Sequence, residues 1–190
     1  KRGAKVLGID RFSPPHQFGS THGETRVTRR AIGEGSFYSP LAIRSYEIFR
    51  EIEEQTGSDL LTITGGLVIS KPNGKAALHG NSDFIEETVS AARRFEVEHR
   101  RLNADEISRD FHRFQLDGDE QGYFENEMGF LRPENCVAAQ LKLAQKFGAQ
   151  INCDERVTEI RSQKESVEII TDKGIYRAKN VVLSAGPWVS

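Results

Sequence analysis

The run Lys5-Val6-Leu7-Gly8-Ile9-Asp10 places the tightest constraint on what this chain can fold into. It is mostly apolar, does not alternate and ends on a carboxylate, the pattern of a strand in a parallel sheet covered on both faces. Lys1-Arg2-Gly3 ahead of it has the chemistry of a helix end, because basic residues favour the negative end of a helix dipole and glycine takes the left-handed cap conformation cheaply. Together they read as the second strand of a dinucleotide-binding βαβ unit. In such a unit the terminal acid meets a ribose hydroxyl, about 20 residues after a glycine-rich phosphate loop. That loop is expected to lie before Lys1. The alternative for Asp10 is local: an aspartate that ends a strand and merely starts a turn.

The bulk numbers narrow the class. A formal net charge of −2, from 26 Lys plus Arg against 28 Asp plus Glu, lacks the basic excess of a nucleic-acid binder. The 37 % hydrophobic content over 190 residues suffices for a packed core in one ordinary domain or two small ones. Cys136 and Cys153 have neither Cys-x-x-Cys spacing nor nearby histidines. No metal site or disulfide scaffold is therefore expected, and a reducing, cytoplasmic setting fits. No apolar run reaches the roughly 18 residues of a membrane span, and no signal-peptide pattern opens the chain.

Beyond Asp10, residues 13–23 are rich in proline, glycine and polar groups and read as a long binding loop. Pro40 opens an expected helix to about Thr56, with Ile43, Tyr46, Phe49 and Ile52 as its inner stripe and Gly57 as its stop. Leu60 to Ser70 reads as a strand with a bend or bulge at Gly65-Gly66. A helix over Asp83 to Phe95, a strand near Val97 to Leu102 and a helix from Ala104 follow. Gly122-Tyr123-Phe124 and Gly129-Phe130-Leu131 are strand candidates separated by a polar turn. Pro133 starts a helix that stops at Gly148, with Val137, Leu141, Leu143, Ala144 and Phe147 inward. Strands are expected over Ala149 to Cys153, Val157 to Arg161, Ser166 to Thr171 and, buried, Asn180 to Ala185.

The richest chemistry lies in Gly19-Ser20-Thr21-His22-Gly23-Glu24-Thr25-Arg26-Val27-Thr28-Arg29-Arg30. Backbone amides and hydroxyls beside glycines suit phosphates, and an arginine offers a carboxylate two parallel, charge-assisted hydrogen bonds. Arg26 and Arg29 share a side if the stretch is helical and lie on opposite sides if it is extended. The plainer reading is a solvated basic patch paired with Glu24 and Glu34. His16, His79, His99 and His112 carry no motif of their own and read as surface residues. Trp188 and Tyr38 read equally as core or as pocket lining.

The order Gly19 to Arg26, then Arg29, Gly33-Glu34-Gly35 and Tyr38-Ser39-Pro40-Leu41 resembles the flavin-contacting segment of FAD-dependent amine oxidases of the sarcosine oxidase and N-methyltryptophan oxidase kind, within the D-amino-acid oxidase superfamily. Asp10 with Pro14-Pro15-His16, Thr64-Gly65-Gly66-Leu67-Val68 and Ser184-Ala185-Gly186-Pro187-Trp188 follow the same template. The resemblance thus spans essentially the whole chain. It implies α/β plus α+β architecture: an incomplete Rossmann-like FAD-binding domain, residues 1–58 and 129–190, with an inserted antiparallel-sheet substrate domain, of which 59–128 is part. It implies that Asp10 and Arg11 lie by the adenosine ribose, that Ser20, Thr21 and Thr25 line the FAD, that Val157 meets the adenine through its backbone, and that Ala185 and Gly186 close on the cofactor. His22 and Arg26 would lie against the flavin as catalytic residues, and Arg29 would hold the substrate carboxylate.

The pattern also departs from that family. No Gly-x-Gly-x-x-Gly precedes Asp10, and the family's cysteine for covalent flavin attachment and its second carboxylate-binding cation would fall after Ser190. An incomplete enzyme is therefore expected, binding FAD weakly when isolated, with self-association open to an unpaired strand edge. The activity implied for the whole protein is oxidation of an N-methyl or secondary amino acid to an imine, with oxygen reduced to hydrogen peroxide. The alternatives are a flavin dehydrogenase with a non-oxygen acceptor and a non-catalytic fragment that keeps ligand binding alone. Neither nucleic acid nor membrane is an expected partner.

Overall fold

The structure, a computed structural model, describes residues 3–71 and 84–188. Lys1, Arg2, His79 and Asp83, which figured in the sequence reading, lie outside the described residues. The chain divides into two compact units, one of residues 1–24, 52–58 and 132–190, the other of 25–51 and 59–131.

In the first unit β1 (Leu7–Ile9) pairs in parallel with β8 (Gln150–Asn152), Leu7 opposite Gln150 and Ile9 opposite Asn152. The pairing continues past the strand end, since Asp10 N donates to the Asn152 carbonyl (2.9 Å) and Glu155 N to the Asp10 carbonyl (3.0 Å). The parallel direction is as expected, but the burial is not: Val6 is 53 % exposed and Leu7 36 %. An apolar run fits a strand for burial, while coverage depends on the layers that pack over it. Helix α4 (Pro133–Lys146) precedes β8, with Pro133 at its first turn where a missing N–H costs nothing. Its buried stripe is Pro133, Cys136, Ala139 and Leu143. Phe147, expected inward, is exposed, because it lies past the last helical turn and no longer follows the stripe.

An antiparallel meander of β9 (Val157–Ser162), β10 (Val167–Thr171) and β11 (Ile175–Ala178) completes this unit. The sequence reading found the first two strands and missed the third, whose Ile-Tyr-Arg-Ala carries a weak alternation. At the turn between β10 and β11 the buried Glu155 accepts the Thr171 hydroxyl (2.6 Å) and the Asn152 side-chain amide (2.9 Å). Residues 180–185 are not in a strand: among the described residues no ladder partner engages them, and Val182 is 89 % exposed. Their apolar content alone could not supply the missing hydrogen bonds.

The second unit has two antiparallel three-stranded sheets among its described residues, ordered β2-β7-β3 and β4-β6-β5. Here β2 is Arg26–Thr28, β3 Leu61–Ile63, β4 Gly66–Ser70, β5 His99–Asn103, β6 Gln121–Glu125 and β7 Gly129–Leu131. The strand expected over residues 60–70 is split. Gly65, at φ +69°, turns the chain between β3 and β4, and across from it residues 126–128 turn β6 into β7. The two strand pairs therefore form one long antiparallel ribbon bent into two sheets, with Thr64 N donating to the Met128 carbonyl (3.1 Å) inside the bend. The polar turn expected before β7 forms at residues 126–127, within that bend.

Helix α2 (Phe84–Arg94) lays Ile85, Val89, Ala91 and Ala92 into a core with Ala31, Val97 and Tyr123, backed by Val68. Helix α3 (Ala104–Asp110) starts on a reciprocal cap: Asn103 Oδ1 accepts from Glu106 N (2.9 Å), and Glu106 Oε2 accepts from Asn103 N (2.8 Å). Helix α1 (Ser39–Thr56) buries Tyr46 and Ile52, with Ile43 and Phe49 half-buried, along the stripe read from the sequence.

Candidate functional site

Asp10 ends its strand at a turn of its own making. Its Oδ1 accepts from Phe12 N (2.8 Å), the two-residue reach of an aspartate turn. His16 Nε2 stands 3.4 Å from both carboxylate oxygens. Around this pair the loop builds an aromatic knot, with Phe12 and Phe18 stacked at 4.1 Å, His16 edge-on to Phe12 at 5.4 Å, and the Arg11 guanidinium 5.3 Å over Phe12. His16, read from sequence as a surface residue, is half-buried against Asp10. The signal available was its place in Pro14-Pro15-His16, six residues past the strand-ending acid.

The far end of the unit returns to this loop. Trp188 Nε1 donates to the Phe18 carbonyl (2.8 Å), so the short 3-10 turn Gly186–Trp188 is tied to the segment that carries Asp10 and Arg11, with Ala185 just before it. Val157, at the head of β9, is two residues from Glu155, whose amide holds the Asp10 carbonyl. Ser20, Thr21 and His22 are exposed, and Gly23 N reaches Glu134 Oε1 at the start of α4 (3.4 Å). In this unit the ties to the loop run from Glu155 N to the Asp10 carbonyl and from Trp188 to the Phe18 carbonyl, with Val157 two residues after Glu155 and Gly186 two residues before Trp188 in the chain.

Thr25, Arg26 and Arg29 fall in the second unit. The stretch left open between helix and strand is extended: Arg26 pairs with Leu131 and Thr28 with Gly129 in β2-β7. Gly129 sits where a Cβ would collide with the Thr62 carbonyl oxygen, so only glycine lets β7 run this close to its other neighbour. Arg29 follows the strand. Its Nη2 is ion-paired with both oxygens of Glu34, and its guanidinium lies 5.7 Å over the Phe84 ring. Its Nε is buried and has no hydrogen-bond partner among the described residues. Arg30 turns elsewhere, to Glu127 and over the Tyr46 ring at 5.0 Å. The plainer reading paired this basic patch with Glu24 and Glu34 in solvent; Glu34 does pair with it, through Arg29, but the pair is half-buried.

The electrostatics of this unit centre on buried phenols and acids. Burial pushes the Tyr46 hydroxyl up to about 12. It raises Tyr123 further, helped by the Glu125 carboxylate, which accepts the Tyr123 hydroxyl at 2.8 Å. Glu125 was passed over in the sequence because a single glutamate in a short strand has no pattern to mark it as buried. Among the described residues no cluster of His, Cys, Asp or Glu is arranged to hold a metal ion, and no helix is long and apolar enough to cross a membrane.

The geometry finds its counterparts among amino-acid oxidases. The structure superposes on NikD, described as an unusual amino acid oxidase essential for nikkomycin biosynthesis, with a TM-score of 0.82 and 27 % identity over 99 % of this chain and 47 % of that one. In sequence it is 38 % identical over 190 residues to monomeric sarcosine oxidase from a Bacillus species, covering 100 % of this chain and 47 % of the relative. It is 34 % identical over 187 residues to N-methyl-L-tryptophan oxidase from Yersinia pestis, covering 98 % and 48 %. The chain belongs to the FAD dependent oxidoreductase family, which it matches along residues 1–190. It spans about half the length of these relatives. The family resemblance and the mixed α/β fold read from the sequence both hold.

Proposed function

We propose that the protein of which this chain forms the matched part oxidises an N-methyl or other secondary amino acid to an imine, with FAD as cofactor and oxygen as the final acceptor. The substrate loses two electrons and two protons, and oxygen takes both to become hydrogen peroxide. When bound, FAD supplies the two-electron acceptor. Residues 1–58 and 129–190 would carry the cofactor, and residues 59–128 would form part of the substrate domain. The relatives named above support this chemistry, and the cytoplasm is the proposed setting, in keeping with Cys136 and Cys153 as free thiols.

The residues fit such a cofactor. A carboxylate accepts about four hydrogen bonds, so Asp10, engaged by Phe12 N and His16, keeps capacity for a ribose hydroxyl. Arg11 lies beside it, and Ser20 and Thr21 present hydroxyls on the outer loop for phosphate oxygens. Ala185 and Gly186, bound to that loop through Trp188, are small enough to admit a cofactor closely. Thr25, Arg26 and His22 are assigned to the flavin, where a cation favours the electron-rich reduced ring. Val157 is assigned to the adenine.

The observation that carries the reading is Arg29, half-buried, steered by Glu34 and Phe84, with Nε shielded from water and lacking a hydrogen-bond partner among the described residues. A planar cation so held suits bidentate binding of a carboxylate, which would fix the amino acid for oxidation at its C–N bond. The test is peroxide release by the flavin-loaded protein on sarcosine or N-methyltryptophan, compared with Arg29→Ala. An unchanged KM in that variant removes Arg29 from the substrate site. Turnover with a dye acceptor and without peroxide would assign a dehydrogenase instead.

A further inference from the structure

After β2 ends at Thr28, the chain loses its ladder yet leaves few amides unanswered. Arg30 N donates to Glu125 Oε1 (2.8 Å), Ala31 N to Glu125 Oε2 (3.3 Å) and Ile32 N to Ser39 Oγ (3.1 Å). Glu125 and Ser39 are both 0 % exposed. Three successive backbone amides thus hang on two buried side chains from other elements. Arg29 is bracketed between the Thr28 to Gly129 pairing on one side and the Glu125 carboxylate on the other.

A carboxylate suits this place for a definite reason. Its two oxygens accept from two adjacent amides at once, and Oε2 also takes the Tyr123 hydroxyl (2.8 Å). A buried acid stays tolerable only when its acceptors are filled in this way. Glutamine in its place would offer one oxygen and one NH2, and the NH2 would face a donor. One of the two amides would then lose its acceptor.

We infer that Glu125 is a positioning residue for Arg29: by fixing the backbone of Arg30 and Ala31 it sets the direction in which the Arg29 guanidinium meets a substrate carboxylate. The inference rests on the reading of Arg29 as the carboxylate anchor. Neither Tyr123 nor Glu125 needs to touch substrate for it to hold. Tyr123 serves as the brace that keeps Oε2 oriented toward Ala31.

The test is a double-mutant cycle on the flavin-loaded protein, with acetate as the carboxylate probe and its Kd measured by calorimetric titration. Arg29→Ala is expected to weaken acetate at least tenfold. Glu125→Gln is expected to weaken it roughly tenfold through one lost charge-assisted hydrogen bond, and to add less than twofold when Arg29 is already alanine. A purely structural role would instead weaken acetate by the same factor in both backgrounds, and that result overturns the proposal. Should Glu125→Gln fail to fold, Tyr123→Phe removes one donor and leaves the carboxylate. It is expected to weaken acetate roughly threefold, again only with Arg29 present. Arg29→Ala weakening acetate while neither other variant does so also overturns it. If Arg29→Ala itself leaves acetate unchanged, the anchor reading fails first, and the two failures are distinct.

Discussion

Trp188 donates its indole hydrogen to the backbone carbonyl of Phe18 at 2.8 Å, joining residues 170 positions apart. The bond ties the turn at Gly186 to the loop that begins at Asp10. Replacing Trp188 by phenylalanine keeps an aromatic ring and removes the donor. FAD affinity is expected to fall about fivefold, near 1 kcal/mol, with little change in melting temperature because the ring is largely exposed. Fluorescence titration of FAD measures it, and unaltered affinity would mean that this tie does not shape the cofactor loop.

Glu34 occupies the Arg29 Nη2 that a substrate carboxylate would seek. The pair is partly solvated, so its contribution is small, below about 1 kcal/mol. Glu34→Gln is therefore expected to tighten acetate binding up to about fivefold by removing a competing charge. Weaker binding would show that Glu34 orients the arginine more than it competes for it.

Gly129 and Gly19 make a contrasting pair. A Cβ at Gly129 meets the Thr62 carbonyl, and both partners are backbone in adjacent strands, so neither can yield cheaply. Gly129→Ala is expected to cost about 2–4 kcal/mol. Gly19→Ala meets open space and is expected to change stability by less than about 0.5 kcal/mol. Urea unfolding of the two variants decides it, and equal midpoints would contradict the bent-ribbon packing.

Glu155 gives a pH signature. The Thr171 hydroxyl, the strongest of its partners, holds the carboxyl below its ordinary 4.5. Since the folded value lies below the unfolded one, the associated stability is complete above pH 4.5 and is lost as pH falls through the depressed folded value. Thr171→Val removes that donor. Its melting temperature is expected to lie below wild type at neutral pH, with the gap closing as pH falls through the depressed folded value of Glu155. A gap that stays constant on acidification until the protein unfolds would assign the loss to the other hydrogen bonds of Thr171.

Much of the fold was legible where order is local. The stripe Ile43, Tyr46, Phe49 and Ile52 and the proline at the head of α4 are written within a few residues, and helices form from such signals. The Gly65 bend was legible as a break but not as a change of sheet, because strand partners come from distant sequence. Residues 180–185 show the opposite error: apolar content resembles a strand, but a strand exists only where another backbone answers it. Within the candidate site, the motif from Gly19 to Arg30 marked Arg29 and its partner Glu34, since charge and spacing are sequence properties.

The sequence by itself determined the family, the helices and the cationic segment after Asp10, because residue type, periodicity and motif order are carried by neighbours along the chain. Only the tertiary structure decided that His16 would stand against Asp10, that Trp188 would close on Phe18, and that the solitary Glu125 would lie buried beneath Arg30 and Ala31. Each of these depends on groups brought together across six to 170 positions, and what a side chain can bind is set by the neighbours that folding gives it.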